Sequence, residues 1–250
     1  MTTTGRFVGR VCVVTAAASG IGAAVAAQLE QEGARVWRLD KRPYAGDGFI
    51  ACDVSSDTEV ATAHRAIITE TPVVHHVYNG VGILPPRLGL LLEHEDVGEW
   101  RTVFDTNLHS MVRILGALAT DLAQDGSASV VNMSSDQSLA PRGDALAYAA
   151  SKAAVNAFTV GLARQWLPRR IRVNAIAPGS VRSGFIDAVA RTPERREAMF
   201  AHAAKTLPLG LGQPDTTARL VLFLLSQDAR HITGEIFRAD SGQALMGIQL

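Results

Sequence analysis

Short segments rich in β-branched residues alternate with longer segments rich in alanine and leucine along almost the whole chain. Segments with strand character cover residues 11–15, 34–39, 48–52, 73–79, 128–134, 171–177 and 234–239, and candidate helices cover residues 21–32, 57–70, 95–122, 147–166 and 215–226. Apolar strands that alternate with helices are typical of a parallel sheet covered on both faces. We predict a single α/β domain over residues 1–250, with a doubly wound parallel sheet of about seven strands.

Two stretches interrupt this alternation. Residues 41–48, between the second and third strands, contain Pro43, Gly46 and Gly48. This link is too short for a helix, so we expect an irregular crossover. Residues 180–213 carry no strand pattern and are rich in arginine and proline. Long connections of this kind are commonly functional, and we predict a substrate lid around residues 180–213 over the strand ends.

The composition argues against several classes of protein. Of the 250 residues 47% are hydrophobic, so the chain can bury a large core. The 24 basic and 24 acidic side chains cancel, which leaves no overall charge to attract nucleic acid or an anionic membrane. No apolar run reaches the roughly 20 residues of a membrane-spanning helix. Cys12, Cys52 and the seven histidines lack metal-ligand spacing. We expect a cytoplasmic protein that binds no nucleic acid, membrane or metal.

A turn of small residues follows the first strand and leads directly into a helix. It runs from Thr15 through three alanines to Ser19, Gly20, Ile21 and Gly22. Such a turn lets the backbone approach a pyrophosphate, whose charge is then held by the amides and dipole of the helix N-terminus. The alternative is an ordinary tight turn. The first reading predicts a Rossmann-like, dinucleotide-binding domain.

Asp40 distinguishes these two readings. It ends the second strand, close to the spacing from Gly22 at which a carboxylate accepts hydrogen bonds from the adenosine ribose hydroxyls. A 2′-phosphate would be repelled there, so NAD is favoured over NADP. Lys41 and Arg42 follow immediately and soften that discrimination.

Tyr148 and Lys152 are four residues apart and therefore lie on one face of the predicted helix over residues 147–166. A free phenol, with a pKa of about 10, is a poor base at neutral pH. A nearby ammonium and a cationic nicotinamide would lower that pKa. Ser135 closes the preceding strand, where it can bond a substrate oxygen. The alternative is a buried tyrosine with a lysine that reaches to solvent.

These motifs, taken in order, resemble the short-chain dehydrogenase/reductase family over nearly the whole chain. The matching segments are TAAASGIG (15–22), Asp53-Val54, YNGVGI (78–83), FDTNL (104–108), NMSS (132–135), YAASK (148–152), RVNAIAPG (172–179) and ADSG (239–242). The resemblance implies an oxidoreductase of CH–OH groups that uses a nicotinamide dinucleotide. It also implies a homo-oligomer, a tetramer or a dimer.

The resemblance also implies roles for individual residues. Tyr148 is expected to be the catalytic acid/base, Lys152 to hold the nicotinamide ribose and lower the Tyr148 pKa, Ser135 to orient the substrate oxygen, and Asn107 to hold a water that links Lys152 to solvent. The cofactor contacts expected on the same basis, besides the glycine turn and Asp40, are Asp53, Val54, Asn79, Pro178, Gly179, Val181 and Ser183.

The sequence departs from the family pattern at three positions. The first glycine of the turn is Ala16, for which we expect a negative φ and looser cofactor binding. The usual second asparagine after the fourth strand is Gly80, so one support of the central strand is expected to be missing. The usual threonine after Pro178-Gly179 is Ser183, which keeps a hydroxyl.

The residues after Ser135 indicate what the substrate is. They read Asp136-Gln137-Ser138, where an apolar run would suit a steroid or an acyl chain. We predict a polar substrate, a polyol, cyclitol or sugar-like secondary alcohol, bound by Ser135, Gln137 and Tyr148. Asp136 or Gln137 is expected to reach its other hydroxyls. The alternative is that Asp136 and Gln137 only cap the loop. Further pocket candidates are Arg142, Arg182, Phe185 and His202.

Two other functions compete with an NAD-dependent alcohol dehydrogenase. One is an NADPH-dependent reductase of carrier-bound 3-oxoacyl groups, which Asp40 disfavours because such reductases usually draw on NADPH. The other is a dinucleotide-sensing protein without turnover, which has no need of Ser135, Tyr148 and Lys152 together.

Overall fold

Seven parallel strands form the centre of the protein in the computed structural model, which describes residues 5–246. The strands are β1 Val11–Thr15, β2 Arg35–Asp40, β3 Phe49–Ala51, β4 His76–Asn79, β5 Ser129–Met133, β6 Arg172–Pro178 and β7 Ile236–Ala239. Their order is β3-β2-β1-β4-β5-β6-β7, and all neighbouring pairs are parallel. The predicted doubly wound sheet is confirmed. The winding direction reverses between β1 and β4, where ligands bind in sheets of this type.

Helices cover both faces of the sheet. Within residues 5–246 the α-helices are α1 Gly20–Gln31, α2 Asp57–Glu70, α3 Val97–Phe104, α4 Ser110–Leu118, α5 Leu146–Trp166, α6 Asp187–Ala190, α7 Pro193–Thr206 and α8 Pro214–Leu225. One apolar cluster joins the sheet to α2, α4 and α5, and a second joins it to α1 and α8. In α1 the buried residues recur at helical spacing, namely Gly22, Val25, Ala26 and Leu29. Among the described helices, none is long and apolar enough to cross a membrane.

The helix predicted over roughly residues 95–122 is present as a helical run over residues 97–118, but it is not a regular α-helix throughout. A π-helical turn, Asp105–His109, separates α3 from α4, and α4 ends at Leu118. A π-turn adds one residue to a single helical turn, a local change that a coarse reading of hydropathy over the whole segment does not resolve. It matters because it contains Asn107, one of the expected site residues. Residues 41–48 cross from β2 to β3 without a helix, as expected.

Residues 180–213 fold into a helical excursion at the carboxyl end of β6. It contains α6 and α7, which the sequence pattern did not predict because Phe200 is the one residue of α7 that is buried. The two ends of the excursion meet at an isolated bridge between Val181 and Gly212. Backbone bonds on either side, Arg182 N to Gly212 O (2.9 Å) and Gly212 N to Ser180 O (3.1 Å), fix that junction.

Candidate active site

The turn after β1 is shaped by its contacts with β2. The Ala17 amide donates to Leu39 O (3.4 Å), and the Ala18 amide donates to the Asp40 carboxylate (3.0 Å). These bonds hold Ala16 at φ +55°, so the expectation of a negative φ there is wrong. A non-glycine residue in this left-handed region costs roughly 1–2 kcal/mol. At Gly22, a Cβ would lie 2.1 Å from Ala16 O, so only glycine allows α1 to pack so close to the turn.

The N-terminus of α1 faces this turn. Ser19 is the N-cap residue, yet its hydroxyl caps no amide of α1 within the described chain. The first amides of the helix are thus available for an anion, as a pyrophosphate site requires. Gly20 has φ +57°, and a Cβ there would lie 3.3 Å from Ser183 Cβ, so Ser183 lies directly over the turn.

Asp40 is buried at the carboxyl end of β2, beside the turn. Burial raises the pKa of its carboxyl, but hydrogen bonds from Arg42 and the Ala18 amide outweigh burial and hold that pKa below its usual value. The Arg42 guanidinium contacts Asp40 (3.3 Å) and also donates to Ser19 Oγ (2.7 Å). A half-exposed cation thus lies beside the carboxylate expected to bind the adenosine ribose.

Thr15 and Asn79 connect the ends of the central strands. Thr15 Oγ accepts from the Gly80 amide (2.9 Å), which supplies a support where the sequence suggested that one was missing. Asn79 Nδ2 donates to Asn132 Oδ1 (2.9 Å). Asn79 Oδ1 is buried and has no hydrogen-bond partner within residues 5–246. A buried, unpaired acceptor at this crevice fits a site completed by a bound dinucleotide.

The remaining expected cofactor residues lie at the same edge of the sheet. Pro178 ends β6, and the Gly179 amide donates to Ala239 O (3.1 Å). A Cβ at Gly179 would lie 2.9 Å from Asp240 Cα, so this position admits only glycine. Val54 is buried after β3, and the Asp53 carboxylate accepts from the Ser55 hydroxyl (2.6 Å), which lowers the Asp53 pKa.

Tyr148 and Lys152 are both buried on the inner face of α5. The Lys152 Nζ lies 5.8 Å from the centre of the Tyr148 ring and donates to Met133 O (2.8 Å). Burial lowers the pKa of Lys152 to about 7 and raises the pKa of Tyr148 to about 12. The expected lowering of the Tyr148 pKa by the Lys152 ammonium together with a bound cationic nicotinamide stays a prediction.

Ser135 lies next to Tyr148, and its hydroxyl partly offsets the effect of burial on the phenol pKa. Ser135 Oγ donates to Asp136 Oδ1 (3.0 Å) and accepts from the Gln137 amide (3.2 Å). Arg142 Nη1 donates to the other oxygen, Asp136 Oδ2 (3.3 Å). Gln137 is also buried, and its Oε1 has no partner in the described part of the chain.

Asn107 is fully buried in the π-turn. Its Oδ1 accepts from the Ile83 amide (2.7 Å), and its Nδ2 donates to Ile83 O (3.1 Å) and to Ser151 Oγ (2.9 Å). A Cβ on Gly82 would lie 3.1 Å from Lys152 Nζ and 3.6 Å from Asn107 Oδ1. The expected pair is therefore brought together around Gly82.

The sequence did not suggest the network that joins the Ser135 loop to α5. Ser138 Oγ donates to Ser135 O (2.6 Å) and accepts from Asn156 Nδ2 (2.8 Å). Ser134 Oγ donates to Asn156 Oδ1 (2.6 Å). Asn156 follows Lys152 by four residues and so shares its helix face, which is the one sequence feature that could have revealed it.

Residues of the excursion 180–213 also reach the site. The Phe185 ring centre lies 5.8 Å from that of Tyr148, and Arg191 donates to Pro86 O (3.3 Å) across the cleft. His202 instead lines a cavity of about 430 Å³ behind α7, whose wall also includes Ser180 and Ile186. Arg182 pairs with Glu197 (3.4 Å) and lies outside the Tyr148 cluster.

Comparison with known proteins identifies this architecture. The family model described as "Enoyl-(Acyl carrier protein) reductase" matches residues 15–244. The chain belongs to the short-chain dehydrogenase/reductase family. The predicted resemblance is confirmed, and membership makes the protein an oxidoreductase of CH–OH groups that uses a nicotinamide dinucleotide.

Individual members of the family differ in what they act on. The chain is 32% identical to the short-chain reductase protein NovJ of Streptomyces niveus, with 93% of each chain covered. It is 30% identical to the 3-oxoacyl-[acyl-carrier-protein] reductase FabG of Vibrio cholerae, over 95% of this chain and 98% of that one. The ligand-free aldohexose dehydrogenase of Thermoplasma acidophilum superimposes with a TM-score of 0.88 at 29% identity, over 96% of this chain and 95% of that one.

Proposed function

We propose that the protein is an NAD-dependent dehydrogenase that interconverts a secondary alcohol and a ketone by hydride transfer. Its substrate is a polyol, cyclitol or sugar-like alcohol. The observation that carries this proposal is the convergence of Ser135, Tyr148 and Lys152 beside the glycine turn, with polar groups rather than apolar ones next to Ser135. The likeness to an aldohexose dehydrogenase supports the substrate class.

The chain supplies the proton chemistry. When bound, the nicotinamide supplies the hydride acceptor and a positive charge. Tyr148 removes the hydroxyl proton of the alcohol, and Ser135 bonds the reacting oxygen. Lys152, held by Met133 O, binds the nicotinamide ribose and must be protonated to stabilise the Tyr148 phenolate. Asn107 holds the water through which Lys152 exchanges protons with solvent.

Cofactor recognition involves both backbone and side chains. The α1 amides at Gly20, Ile21 and Gly22 bind the pyrophosphate, with Thr15 and Ser19 shaping the turn. Asp40 binds the adenosine ribose and favours NAD over NADP, while the neighbouring Arg42 reduces that preference. Contacts proposed for the adenine side are Asp53, Val54 and Asn79, and those for the nicotinamide side are Pro178, Gly179, Val181 and Ser183.

A reductase of carrier-bound 3-oxoacyl groups is the second candidate. The likeness to FabG of Vibrio cholerae and the description of the matching family model favour it. The cavity behind α7, lined by Ile186, Met199 and Leu211 among others, offers apolar surface for an acyl arm. The polar groups beside Ser135 argue for the first candidate.

The deciding experiment compares substrates and cofactors in the purified protein. We expect NADH formation with polyols and cyclitols and a lower KM for NAD than for NADP. Tyr148→Phe should lower kcat by about a hundredfold to ten-thousandfold, the usual range for a general acid/base. Tyr44→Phe, at a half-exposed tyrosine that packs against Arg38 and Phe49, is the matched control. Turnover confined to 3-oxoacyl thioesters with NADPH would favour the second candidate, and an active Tyr148→Phe protein would contradict both.

The proposal also covers the oligomeric state, the substrate lid and the location of the enzyme. Exposed apolar side chains on α3, α4 and α5, at Val97, Val112 and Val160, support a homo-oligomer, a tetramer or a dimer. The contact between Phe185 and Tyr148 supports the role of residues 180–213 as a substrate lid. Two free, buried cysteines fit a cytoplasmic location. Light scattering of the purified protein tests the oligomeric state.

A further inference from the structure

The hydroxyl of Ser135 has a single proton, which it donates in a hydrogen bond to the Asp136 carboxylate. Among the described residues, Asp136 Oδ1, at 3.0 Å, is the hydrogen-bond acceptor for this proton. One lone pair of Ser135 Oγ accepts from the Gln137 amide at 3.2 Å. In this arrangement Ser135 presents to the cleft an oxygen that accepts a hydrogen bond, and it can donate to Tyr148 or to a substrate oxygen only after its hydrogen bond to Asp136 is broken.

This arrangement conflicts with what the reaction needs. As an alcohol loses its proton, negative charge develops on its oxygen, and a donor aimed at that oxygen lowers the barrier. Ser135 can donate to that oxygen only after its own hydrogen bond to Asp136 is broken. Breaking it costs free energy because the carboxylate, whose side chain is 12% exposed, would lose a charge-assisted hydrogen bond.

Arg142 fixes which oxygen of Asp136 is involved. It donates to Oδ2 at 3.3 Å, so the carboxylate keeps its orientation. The other oxygen, Oδ1, remains the acceptor, either for Ser135 or for a hydroxyl of the substrate. The two oxygens of a vicinal diol are separated by about the length of an O–H···O hydrogen bond. A diol whose first oxygen lies between Ser135 and Tyr148 can thus bring its second hydroxyl to Asp136 Oδ1.

From this geometry we propose that Asp136 is a specificity-determining residue that selects substrates with a hydroxyl next to the reacting carbon. The second hydroxyl of the substrate replaces Ser135 as the donor to Asp136. The Ser135 hydroxyl then rotates and donates a hydrogen bond to the reacting oxygen. The exchange moves hydrogen bonds only, and the second hydroxyl is not consumed. An alcohol without a neighbouring hydroxyl leaves Ser135 bound to Asp136 and reacts slowly.

This inference rests on the proposed dehydrogenase activity, and a matched substrate pair tests it. The probes are cyclohexane-1,2-diol, as cis and trans isomers, and cyclohexanol, each oxidised with NAD. In the wild-type protein, kcat for the better diol should exceed kcat for cyclohexanol by about tenfold to a hundredfold, the range of a hydrogen bond to a charged group.

Asp136→Ala should remove most of the kcat ratio between diol and cyclohexanol and should separately weaken diol binding. The kcat for cyclohexanol should rise because Ser135 is free, and the KM for the diol should rise because its second hydroxyl has lost its acceptor. Asp136→Asn, which keeps a weaker acceptor of the same shape, should give an intermediate ratio. Asp144→Ala, an exposed aspartate of the same loop, is the control and should leave the ratio unchanged.

A purely structural role for Asp136 would affect both substrates alike, so the double variant is decisive. In a Ser135→Ala background, Asp136→Ala should no longer raise kcat for cyclohexanol, because the two residues act through one proton. An additive effect would overturn the proposal, as would an undiminished ratio in Asp136→Ala, or a wild-type protein that oxidises cyclohexanol at least as fast as the diols or oxidises neither diol. The dehydrogenase function itself fails only if no alcohol of the wider panel gives Tyr148-dependent NADH formation.

Discussion

The half of the cleft at the glycine turn and the half at Ser135 are held in place by different kinds of contact. At the turn, backbone amides of Ala17 and Ala18 bond to β2, and glycines allow approaches that a Cβ would block. Around Ser135, side chains bond to side chains, as in the chain of Ser138, Asn156 and Ser134. A backbone-built site can be kept by many sequences, whereas a side-chain network is altered by single substitutions. The comparison explains how relatives can share a cofactor site and differ in substrate.

The largest effect is expected at Lys152, which is buried between Met133 O and the Tyr148 ring. Burial lowers its pKa from 10.5 to about 7 in the folded protein. Between these values the unfolded chain binds a proton that the folded protein does not, so stability rises with pH there, by at most about 1.4 kcal/mol per pH unit. Lys152→Met should abolish this dependence and stabilise the protein at pH 7 while it removes activity. Urea unfolding at pH 7, 8 and 9 measures it.

If the free energy of unfolding of Lys152→Met rose with pH as steeply as that of the wild-type protein, another group would cause the pH dependence. Tyr148 cannot be the source in this window. Its pKa is raised from 10 to about 12, so its contribution to stability is lost only as the pH rises from 10 to 12.

A smaller effect is expected from Gly22→Ala, which attacks the backbone-built half. The new Cβ would lie 2.1 Å from Ala16 O, so the turn or the helix must move. We expect a loss of roughly 1–3 kcal/mol in the free energy of unfolding, as for other overpacked sites, together with weaker NAD binding. Gly116→Ala in α4, where a Cβ meets no atom within 4 Å, is the control. Equal stability of the two variants would refute the close packing.

The smallest effect is expected from Asn156→Ala in the side-chain-built half. Ser138 loses its donor from α5, and the Ser135 loop loses its anchor. We expect kcat/KM for the alcohol to fall by about tenfold, the equivalent of one hydrogen bond of about 1.4 kcal/mol. The dissociation constant of NAD, measured by fluorescence titration, should change little. If Asn156→Ala weakened NAD binding as much as it lowered kcat/KM, the half at the glycine turn would depend on the half at Ser135.

The same division separates what the sequence could predict from what it could not. The turn, Asp40, Ser135 and the Tyr148-Lys152 pair were predictable because each depends on neighbours close in the chain or on the register of a strand. The alternation of segments likewise predicted all seven strands. These inferences required no knowledge of which side chains would meet.

The errors arose where tertiary contacts decide the conformation. Ala16 takes a positive φ because β2 holds the next two amides, and no local rule for alanine predicts that. The π-turn at Asn107 is invisible to periodicity. Asn156 and Arg42 reach partners 18 and 23 residues away. The pKa values of Tyr148 and Lys152 follow from burial, which a motif does not reveal.

The bridge between Val181 and Gly212 has a mechanical consequence. It pins the start and end of the intervening 30 residues together, and the Leu209 amide also donates to Ser241 O (3.2 Å), so the segment is held at its base and just beyond β7. In the proposed role as a substrate lid, the segment would move as one unit about this base. On the far side of the cleft, the segment is held by the exposed hydrogen bond from Arg191 to Pro86 O and by the ring contact of Phe185 with Tyr148. If residues 180–213 are the proposed substrate lid, admission of a substrate breaks the contacts with Pro86 and Tyr148 and leaves the bonds at the base of the segment in place.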